Sequence, residues 1–371
     1  MGIYIAGTGL FTPNESISNE ELVKSYNAYV DLFNQQNKEA IEKGDLEELT
    51  YSSADFIYKA SGIESRYVLS KEGILDPQRM KPKFEKRKDN EPSIQAEIAI
   101  KASKEALKNA NIEIDQVDGL ICACSNLQRA YPAVSIEIQQ ELGIQGYAYD
   151  MNVACSSATF GMQNAVNDIK AGVAETILVV NPEICTAHLN FKDRDGHFIF
   201  GDVCTAVVIT KVNDRSTENF EVLDTKLKTS FSNNIRNNFG FISKNEDLDL
   251  YSDDQLFKQE GRKVFKQVVP MVEELIANHL KENNLLVSDI KRLWLHQANL
   301  SMNSLIAKRL LGRDPNEDEM PTVLNRYANT SSAGSIIAFH KYSEDFRKGD
   351  LGVICSFGAG YSVGSIIVQK T

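Results

Sequence analysis

The sequence predicts an α/β protein in which helices cover the faces of β-sheets. Segments with strand-like and helix-like patterns alternate along the whole chain. The run ILVV at residues 177–180 is apolar at every position, which is typical of a strand buried on both faces. The 371 residues are 42% hydrophobic and 25% charged, so the chain has enough apolar surface to fold into two or three units or one large one.

The first half of the chain begins with a predicted strand at residues 3–10, which ends in a glycine and a turn. The most regular helical pattern covers residues 94–112, where apolar residues recur every three to four positions and Ser93 is placed to cap the helix. Strands and helices then alternate. The predicted strands are 118–125, 147–153, 175–184 and 205–212, and the predicted helices are 133–143 and 156–172.

The second half repeats this rhythm. Its predicted strands are 220–229, 291–299, 351–357 and 363–370, and its predicted helices are 261–284, 300–312 and 332–349. We therefore expect two similar halves, residues 1–215 and 216–371. Two polar segments interrupt the first half: residues 31–53 are helix-prone and amphipathic, and the charged residues 70–92 form a surface loop or lid, either simply solvated or a binding patch.

Charge and cysteine content narrow the function classes. The formal net charge of −11 argues against nucleic-acid binding over most of the surface. The chain has no run of 18 apolar residues and no signal-peptide pattern, so we expect no membrane insertion and a cytoplasmic location. The six cysteines are then expected to be free thiols, and their spacing gives little support to a metal site.

Four short motifs could carry chemistry. Cys155, in NVACSSA, lies where a predicted strand meets a helix, a position that favours the thiolate, although most cysteines in such proteins are inert. His296, in LWLHQAN, follows a strand and is either a catalytic group or a buried core histidine. Asn329, in YANTSS, precedes a helix and could be an ordinary turn residue. The glycine-rich residues 357–365 either bring backbone N–H groups to a ligand or form a tight hairpin.

In combination, these motifs resemble the β-ketoacyl–acyl-carrier-protein synthase III branch of the thiolase-like condensing enzymes. The similarity runs nearly the length of the chain, from IAGTGLFTP through DMNVACSSATFG and FIFGD to HQAN, NTS and VGSIIV. It implies a thiolase-like fold, with two similar halves in an αβαβα layered arrangement. It also implies an acyltransferase that performs a decarboxylative Claisen condensation, in fatty-acid initiation or a related specialised lipid or polyketide pathway.

The resemblance assigns a role to each motif. Cys155 would carry the acyl group, and the backbone N–H groups of Cys155 and Ala359 would hold the oxyanion. His296, neutral, and Asn329 would both donate hydrogen bonds to the enolate formed when a malonyl-type or β-ketoacyl carrier-protein thioester reacts. No cofactor or metal is implied, since the substrates are thioesters of coenzyme A (CoA) or acyl carrier protein (ACP).

Other positions match substrate and partner contacts of the family. Phe357 and Tyr131 correspond to acyl-pocket residues, and because Tyr131 matches an aromatic inserted by a neighbouring subunit, the resemblance implies a homodimer. The residues that match the basic docking positions for acyl carrier protein are Lys266, Lys308 and Arg309. Their alternative is the ordinary cationic side of an amphipathic helix.

The matches to the CoA platform are incomplete. Arg194 matches the arginine that stacks on the adenine, but Phe56 replaces its usual tryptophan partner. Ala60 and Ser301 stand where the family commonly has arginine, and Val203 replaces a glycine. These differences favour an acyl-carrier donor or a changed acyl substrate over acetyl-CoA. A fatty-acid initiating synthase and a specialised condensing enzyme both remain open, with a non-catalytic partner subunit as the alternative from another class.

Overall fold

The computed structural model describes residues 2–211, 219–247, 249 and 252–371. Its strands alternate with its helices as the sequence pattern predicts. The strands are β1 (Tyr4–Phe11), β2 (Glu15–Ser18), β3 (Ser65–Val68), β4 (Gly119–Ala123), β5 (Tyr147–Met151), β6 (Thr176–Ile184), β7 (Asp202–Thr210), β8 (Phe220–Ser232), β9 (Ile235–Arg236), β10 (Lys258–Gln259), β11 (Ile290–Leu295), β12 (Leu351–Gly358) and β13 (Gly360–Lys370).

The helices cover both faces of the strands. They are α1 (Asn19–Gln36), α2 (Lys38–Lys43), α3 (Ala54–Ser61), α4 (Glu72–Leu75), α5 (Ile94–Ala110), α6 (Val134–Leu142), α7 (Ser157–Lys170), α8 (Gly261–Glu282), α9 (Leu300–Leu311), α10 (Leu324–Tyr327) and α11 (Gly334–Lys341). Ser93 caps α5 as predicted, because its hydroxyl accepts a hydrogen bond from the N–H of Ala96.

Nine strands of the described residues form one continuous mixed sheet in the order β11-β12-β13-β8-β1-β7-β6-β4-β5. The strands of the predicted C-terminal half, β11 to β8, form one end of this sheet, and those of the N-terminal half, β1 to β5, form the other. The two sets of strands join where β1 pairs antiparallel with β8. The predicted boundary between residues 215 and 216 lies outside the described residues.

Five layers follow from the packing of this sheet. The helices α5 and α6 cover the outer face of the N-terminal strands, and α8 and α9 cover the outer face of the C-terminal strands. The helices α7 and α11 lie between the two sets of strands, where Met162 and Phe339 pack in one core with Val179 and Ile354. This αβαβα arrangement confirms the predicted fold class.

The two polar segments differ in structure. Residues 31–36 continue α1 and residues 38–43 form α2, but residues 44–53 are irregular, so the helical expectation for 31–53 holds only for its first part. Helix α1 packs through Tyr26 and Val30 against a cluster that includes Phe198 and Phe200. Residues 70–92 are irregular apart from the single turn of α4. Residues 83–91 are exposed, as expected for a surface loop, but Ile74 and Met80 are buried in the same cluster as Tyr26.

The predicted helix at 332–349 is wrong in its second part, because α11 ends at Lys341. The buried side chains of Arg292 and Trp294 both donate hydrogen bonds to the carbonyl of Tyr342, at 2.8 and 2.9 Å. Arg292 also forms an ion pair with Asp345. These contacts hold the residues that follow α11 in a non-helical conformation, whereas the local apolar pattern continues to Phe346.

The six cysteines are unpaired thiols, as predicted; five are buried and Cys155 is partly exposed. Within the described residues, no helix is both long and apolar enough to cross a bilayer.

Candidate active site

Cys155 lies at the junction between β5 and α7, as the sequence predicts. A 3₁₀ turn of residues Ala154–Ser156 connects the two elements. The side chain of Asn152 accepts a hydrogen bond from the N–H of Ala154, at 2.8 Å, which supports the left-handed backbone of Ala154 (φ +46°). The hydroxyl of Ser157 accepts from the N–H of Val153 at 2.8 Å, so short local bonds fix the backbone around the thiol.

The hairpin between β12 and β13 closes over the sulfur. A Cβ atom added to Gly358 would lie 2.4 Å from the Cβ and 2.9 Å from the Sγ of Cys155. The glycine therefore permits an approach that a side chain would block. The backbone N–H groups of Ala359 and of Cys155 itself are near enough to this sulfur to lower the pKa of the thiol. These are the two N–H groups that the resemblance implies for the oxyanion hole.

The resting protonation state of Cys155 differs from our expectation. Burial raises the pKa of the thiol to about 11, and the nearby carboxylate of Glu183 acts in the same direction. Hydrogen bonds from Ser331 and from the backbone N–H groups lower it by less. In the free enzyme, desolvation therefore outweighs these hydrogen bonds, and Cys155 is a thiol at neutral pH, not the thiolate that its position predicts.

His296 follows β11, and backbone bonds hold it in place. Its N–H donates to the carbonyl of Cys355, and its own carbonyl accepts from the side chain of Asn303, both at 2.8 Å. The imidazole packs edge-on against Phe357, with the ring centroids 5.2 Å apart. Burial lowers the pKa of His296 to about 4, so the ring is neutral at physiological pH, as the predicted role requires.

The other polar residues of the HQAN motif support the backbone around His296. Gln297 accepts hydrogen bonds from the N–H groups of Val323 and Leu324, at 2.9 and 3.2 Å. Asn299 caps α9 and donates to the carbonyl of Ala60 at 2.8 Å. The backbone of Ala60 therefore contacts the loop that carries Asn299. The family commonly has an arginine at the position of Ala60.

Asn329 reaches the site through a contact between the two halves. It forms a parallel β-bridge with Phe200, in which its N–H donates to Ile199 at 2.9 Å and its carbonyl accepts from Gly201 at 3.1 Å. Its Oδ1 accepts from the N–H of Ser331 at 2.8 Å. Among the described residues, no acceptor is bonded to its Nδ2, so the amide can donate to an oxygen in the site.

The sequence did not identify Ser331, whose hydroxyl lies 3.5 Å from the Cys155 sulfur. The motif NTS was interpreted through its asparagine alone. The FIFGD segment has no predicted role in the sequence, and the structure shows that its Phe200 positions Asn329. Neither contact has a local sequence signal, because each joins residues from different halves.

One cavity of about 800 Å³ connects these groups. Cys155, His296 and Asn329 all lie on its wall. Its remaining lining is largely apolar and includes Leu189, Phe198, Ile199, Phe200, Phe257, Phe265, Met302 and Phe357. Phe357 was predicted for the acyl pocket and lies here. Within the described residues, no group of three acidic, cysteine or histidine side chains is arranged to hold a metal ion.

Phe56 and Arg194, the two residues predicted to contact CoA, lie at the mouth of the cavity. Phe56 lines it, and the guanidinium of Arg194 stacks on the Phe56 ring at 4.1 Å from the centroid. Arg194 also donates to the carbonyl of Tyr51 at 2.8 Å. The two side chains that we expected to hold an adenine between them are therefore in direct contact with each other.

The remaining predicted residues lie outside the cavity. Tyr131 is 86% exposed and does not line the cavity of its own chain. Lys266 is exposed on α8. Lys308 and Arg309 are exposed on α9 and form surface ion pairs with Asp314 and Glu273, at 2.9 and 3.1 Å.

Comparison with known proteins supports the resemblance independently. The family model for 3-oxoacyl-[acyl-carrier-protein (ACP)] synthase III matches residues 149–230, and the model for the C-terminal part of the same family matches residues 280–370. The first match contains Cys155, and the second contains His296 and Asn329.

Curated relatives and solved structures agree. The chain is 57% identical to a beta-ketodecanoyl-[acyl-carrier-protein] synthase of Pseudomonas aeruginosa, over 94% of this chain and all of that protein. The crystal structure of 3-oxoacyl-[acyl-carrier-protein] synthase III from Aquifex aeolicus has a TM-score of 0.76 at 24% identity and covers 99% of this chain and 100% of that one. A priming β-ketosynthase from the R1128 polyketide pathway gives a TM-score of 0.78 at 21% identity, over 99% of this chain and 96% of that one.

Nothing in these comparisons supports the alternative of a non-catalytic partner subunit. With 57% identity over nearly its whole length to one such synthase, the chain belongs to the 3-oxoacyl-[acyl-carrier-protein] synthase III family of condensing enzymes, the acyltransferases that join acyl thioesters through a new carbon–carbon bond.

Proposed function

We propose that this enzyme extends an octanoyl thioester with malonyl-ACP to give β-ketodecanoyl-ACP. The octanoyl group first moves from its carrier to the sulfur of Cys155, and the carrier thiol leaves with a proton. Malonyl-ACP then loses CO₂, and the resulting enolate carbon attacks the acyl carbonyl on Cys155. The products are β-ketodecanoyl-ACP, CO₂ and the carrier thiol, and Cys155 is regenerated.

The observation that carries the chemistry is that Cys155, His296 and Asn329 lie on the wall of one apolar cavity. In the acylation step, the N–H groups of Cys155 and Ala359 stabilise the oxyanion. In the condensation step, neutral His296 and the amide of Asn329 donate to the enolate oxygen. The apolar walls exclude water from the acyl-enzyme, which would otherwise be hydrolysed.

The chain length is supported by the relative from Pseudomonas aeruginosa, whose name specifies a ten-carbon β-ketoacyl product. One decarboxylative condensation adds two carbons, so that product requires an eight-carbon donor. The apolar lining of the cavity, which includes Leu189, Phe200 and Phe257, suits an acyl chain of this kind.

Acyl carrier protein delivers the malonyl group in this proposal. The exposed Lys266, Lys308 and Arg309 are basic groups that an acidic carrier could contact, although the last two already have acidic partners. The direct contact between Phe56 and Arg194 supports a donor site that differs from the usual adenine clamp.

The active form is proposed to be a homodimer. Strand β5 is an edge of the nine-stranded sheet of the described residues, and Tyr131 is 86% exposed, as an aromatic ring donated to a neighbouring cavity would be. The six unpaired cysteines support a reducing, cytoplasmic environment.

Intact-mass spectrometry tests the donor directly. The enzyme is mixed with acyl-CoAs and acyl-ACPs from two to fourteen carbons, and malonyl-ACP is then added to each acyl-enzyme. We expect octanoyl donors to load fastest and to give β-ketodecanoyl-ACP, and the C155A variant to take up no acyl group. Preferential loading of an acetyl group would contradict the proposed chain length.

A further inference from the structure

The buried carboxylate of Glu183 has no place in the chemistry described so far. Glu183 is the second-to-last residue of β6 and is 1% exposed. None of the described lysine, arginine or histidine side chains forms an ion pair with it. An unpaired buried carboxylate is costly, so its retention next to an active site requires a specific set of hydrogen bonds.

Those bonds come from two segments that are distant in sequence. Ser125, just after β4, donates from its N–H at 3.0 Å and from its hydroxyl at 2.5 Å. Ser332, in the turn after Asn329, donates from its N–H at 3.3 Å and from its hydroxyl. Cys185 adds a weaker thiol contact at 3.8 Å. Hydrogen bonds to a charged acceptor are stronger than neutral ones, so the carboxylate ties the two segments firmly together.

Both segments are connected to the reacting groups by short chains of hydrogen bonds and contacts. The residue before Ser332 is Ser331, which contacts the Cys155 sulfur and donates its N–H to the side chain of Asn329. The carbonyl of Ser125 accepts from the side chain of Asn152 at 2.8 Å. Asn152 in turn accepts from the N–H of Ala154, next to Cys155. Glu183 thus connects the turn that orients Asn329 to the loop that carries the nucleophile.

We propose that Glu183 is a positioning residue of the condensation site, which fixes the Asn329 turn against the Cys155 loop and whose negative charge disfavours the thiolate of Cys155 in the free enzyme. This inference rests on the proposed function for its condensation readout. The effect of the Glu183 charge on the Cys155 thiol does not depend on the proposed function, because it is measured in the free enzyme before any substrate is present.

The electrostatic surroundings of Cys155 support the second part. Burial is the largest cause of the raised pKa of this thiol, and the negative charge of Glu183 on β6 adds to it. Cys185, which follows β6, has a pKa raised well above its usual value by burial, and His296, which follows β11, is neutral above pH 4 or so. The pKa of Glu183 is itself raised by burial, and the four serine bonds oppose that rise.

The E183Q variant isolates the charge. Both backbone N–H donors bind the same carboxylate oxygen, Oε1, which a glutamine retains. The other oxygen accepts from the Ser125 hydroxyl, which can turn to accept from the new NH₂ group. We expect the midpoint pH for alkylation of Cys155 by iodoacetamide, followed by intact mass, to fall by about one unit. An unchanged or higher midpoint overturns the charge role.

The S332A variant isolates the positioning. It keeps the Glu183 carboxyl group and removes a hydroxyl bond to the Asn329 turn, so we expect condensation to slow about tenfold. The matched control is S335A, one turn further along: Ser335 is also buried but bonds Ser356, so condensation should stay at the wild-type rate. Equal rates for S332A and wild type overturn the positioning role.

Two further controls keep the outcome unambiguous. E183A removes every bond at once, and its fold is checked by circular dichroism; if folded, it should show both the lower midpoint and a larger loss of condensation than S332A. Condensation is assayed with whichever donor loads the wild-type enzyme fastest. Failure of the octanoyl proposal therefore changes only the donor used, and leaves the alkylation and condensation comparisons intact.

Discussion

The inner end and the mouth of the cavity are built differently. At the inner end, the backbone N–H groups of His296 and Asn329 donate to carbonyls of distant segments at 2.8 and 2.9 Å. The backbone before Cys155 is supported by the bond of 2.8 Å from the N–H of Ala154 to the side chain of Asn152. At the mouth, Phe56 and Arg194 are held mainly by a stacking contact between partly exposed side chains. Backbone bonds therefore hold the groups that the proposed chemistry uses, whereas side-chain contacts hold Phe56 and Arg194, so substitutions at the two ends should differ in kind.

The C155A variant should have the largest effect, because it removes the atom that carries the acyl group. We expect no acyl adduct with any donor and no condensation, measured by intact mass and by product analysis. The C204A variant, which alters a buried thiol on β7 away from the cavity, should load acyl groups as the wild type does. An acyl adduct on the C155A protein would show that another residue is the nucleophile.

Substitution at Asn329 should come next. N329A removes one of two donors to the enolate oxygen, and loss of one such donor slows the chemical step about 100- to 1,000-fold. Acylation of Cys155 should change little, because the oxyanion donors of that step are elsewhere. Release of CO₂ from malonyl-ACP and formation of acyl-enzyme are measured separately. Equal loss in both steps would indicate a structural effect of the substitution.

The G358A variant tests how closely the inner end is packed. The new methyl group would lie within 3 Å of the Cys155 side chain, so the hairpin or the thiol must shift. Since misplacement by about 1 Å can cost two orders of magnitude, we expect condensation to fall about 100-fold. G240A is the matched control, because an added Cβ there meets no atom within 4 Å. Wild-type rates for G358A would show that the hairpin adapts.

Substitution at the mouth should have the smallest effect. R194A breaks an exposed cation–π contact worth about 0.5–1 kcal/mol, so we expect a two- to fivefold change in KM for acyl-CoA and little change in kcat. The same variant assayed with acyl-ACP should show no change in KM. A hundredfold loss of kcat would mean that the mouth takes part in the chemistry.

The sequence was sufficient for features that depend on local pattern. The strand-to-helix junction at Cys155, the strand before His296 and the cap of α5 at Ser93 were all predicted, because neighbouring residues determine them. It was insufficient where distant segments decide the outcome. The end of α11 depends on Arg292 and Trp294, which lie about fifty positions earlier in the chain.

The same limit applied inside the site. The protonation state of Cys155 depends on how completely the fold removes water from its sulfur, which the helix position alone does not reveal. The contact of Ser331 with the sulfur and the bonds of Glu183 to Ser332 each join the two halves. No spacing rule within one half could have shown them.

The β-bridge between Phe200 and Asn329 has a consequence for how this enzyme loses activity on heating. That bridge and the β1–β8 pairing both join residues of the two halves, so we expect unfolding of either half to move Asn329 away from Cys155. On heating, enzyme activity should therefore be lost in the first cooperative unfolding transition, and no partly unfolded species should remain active.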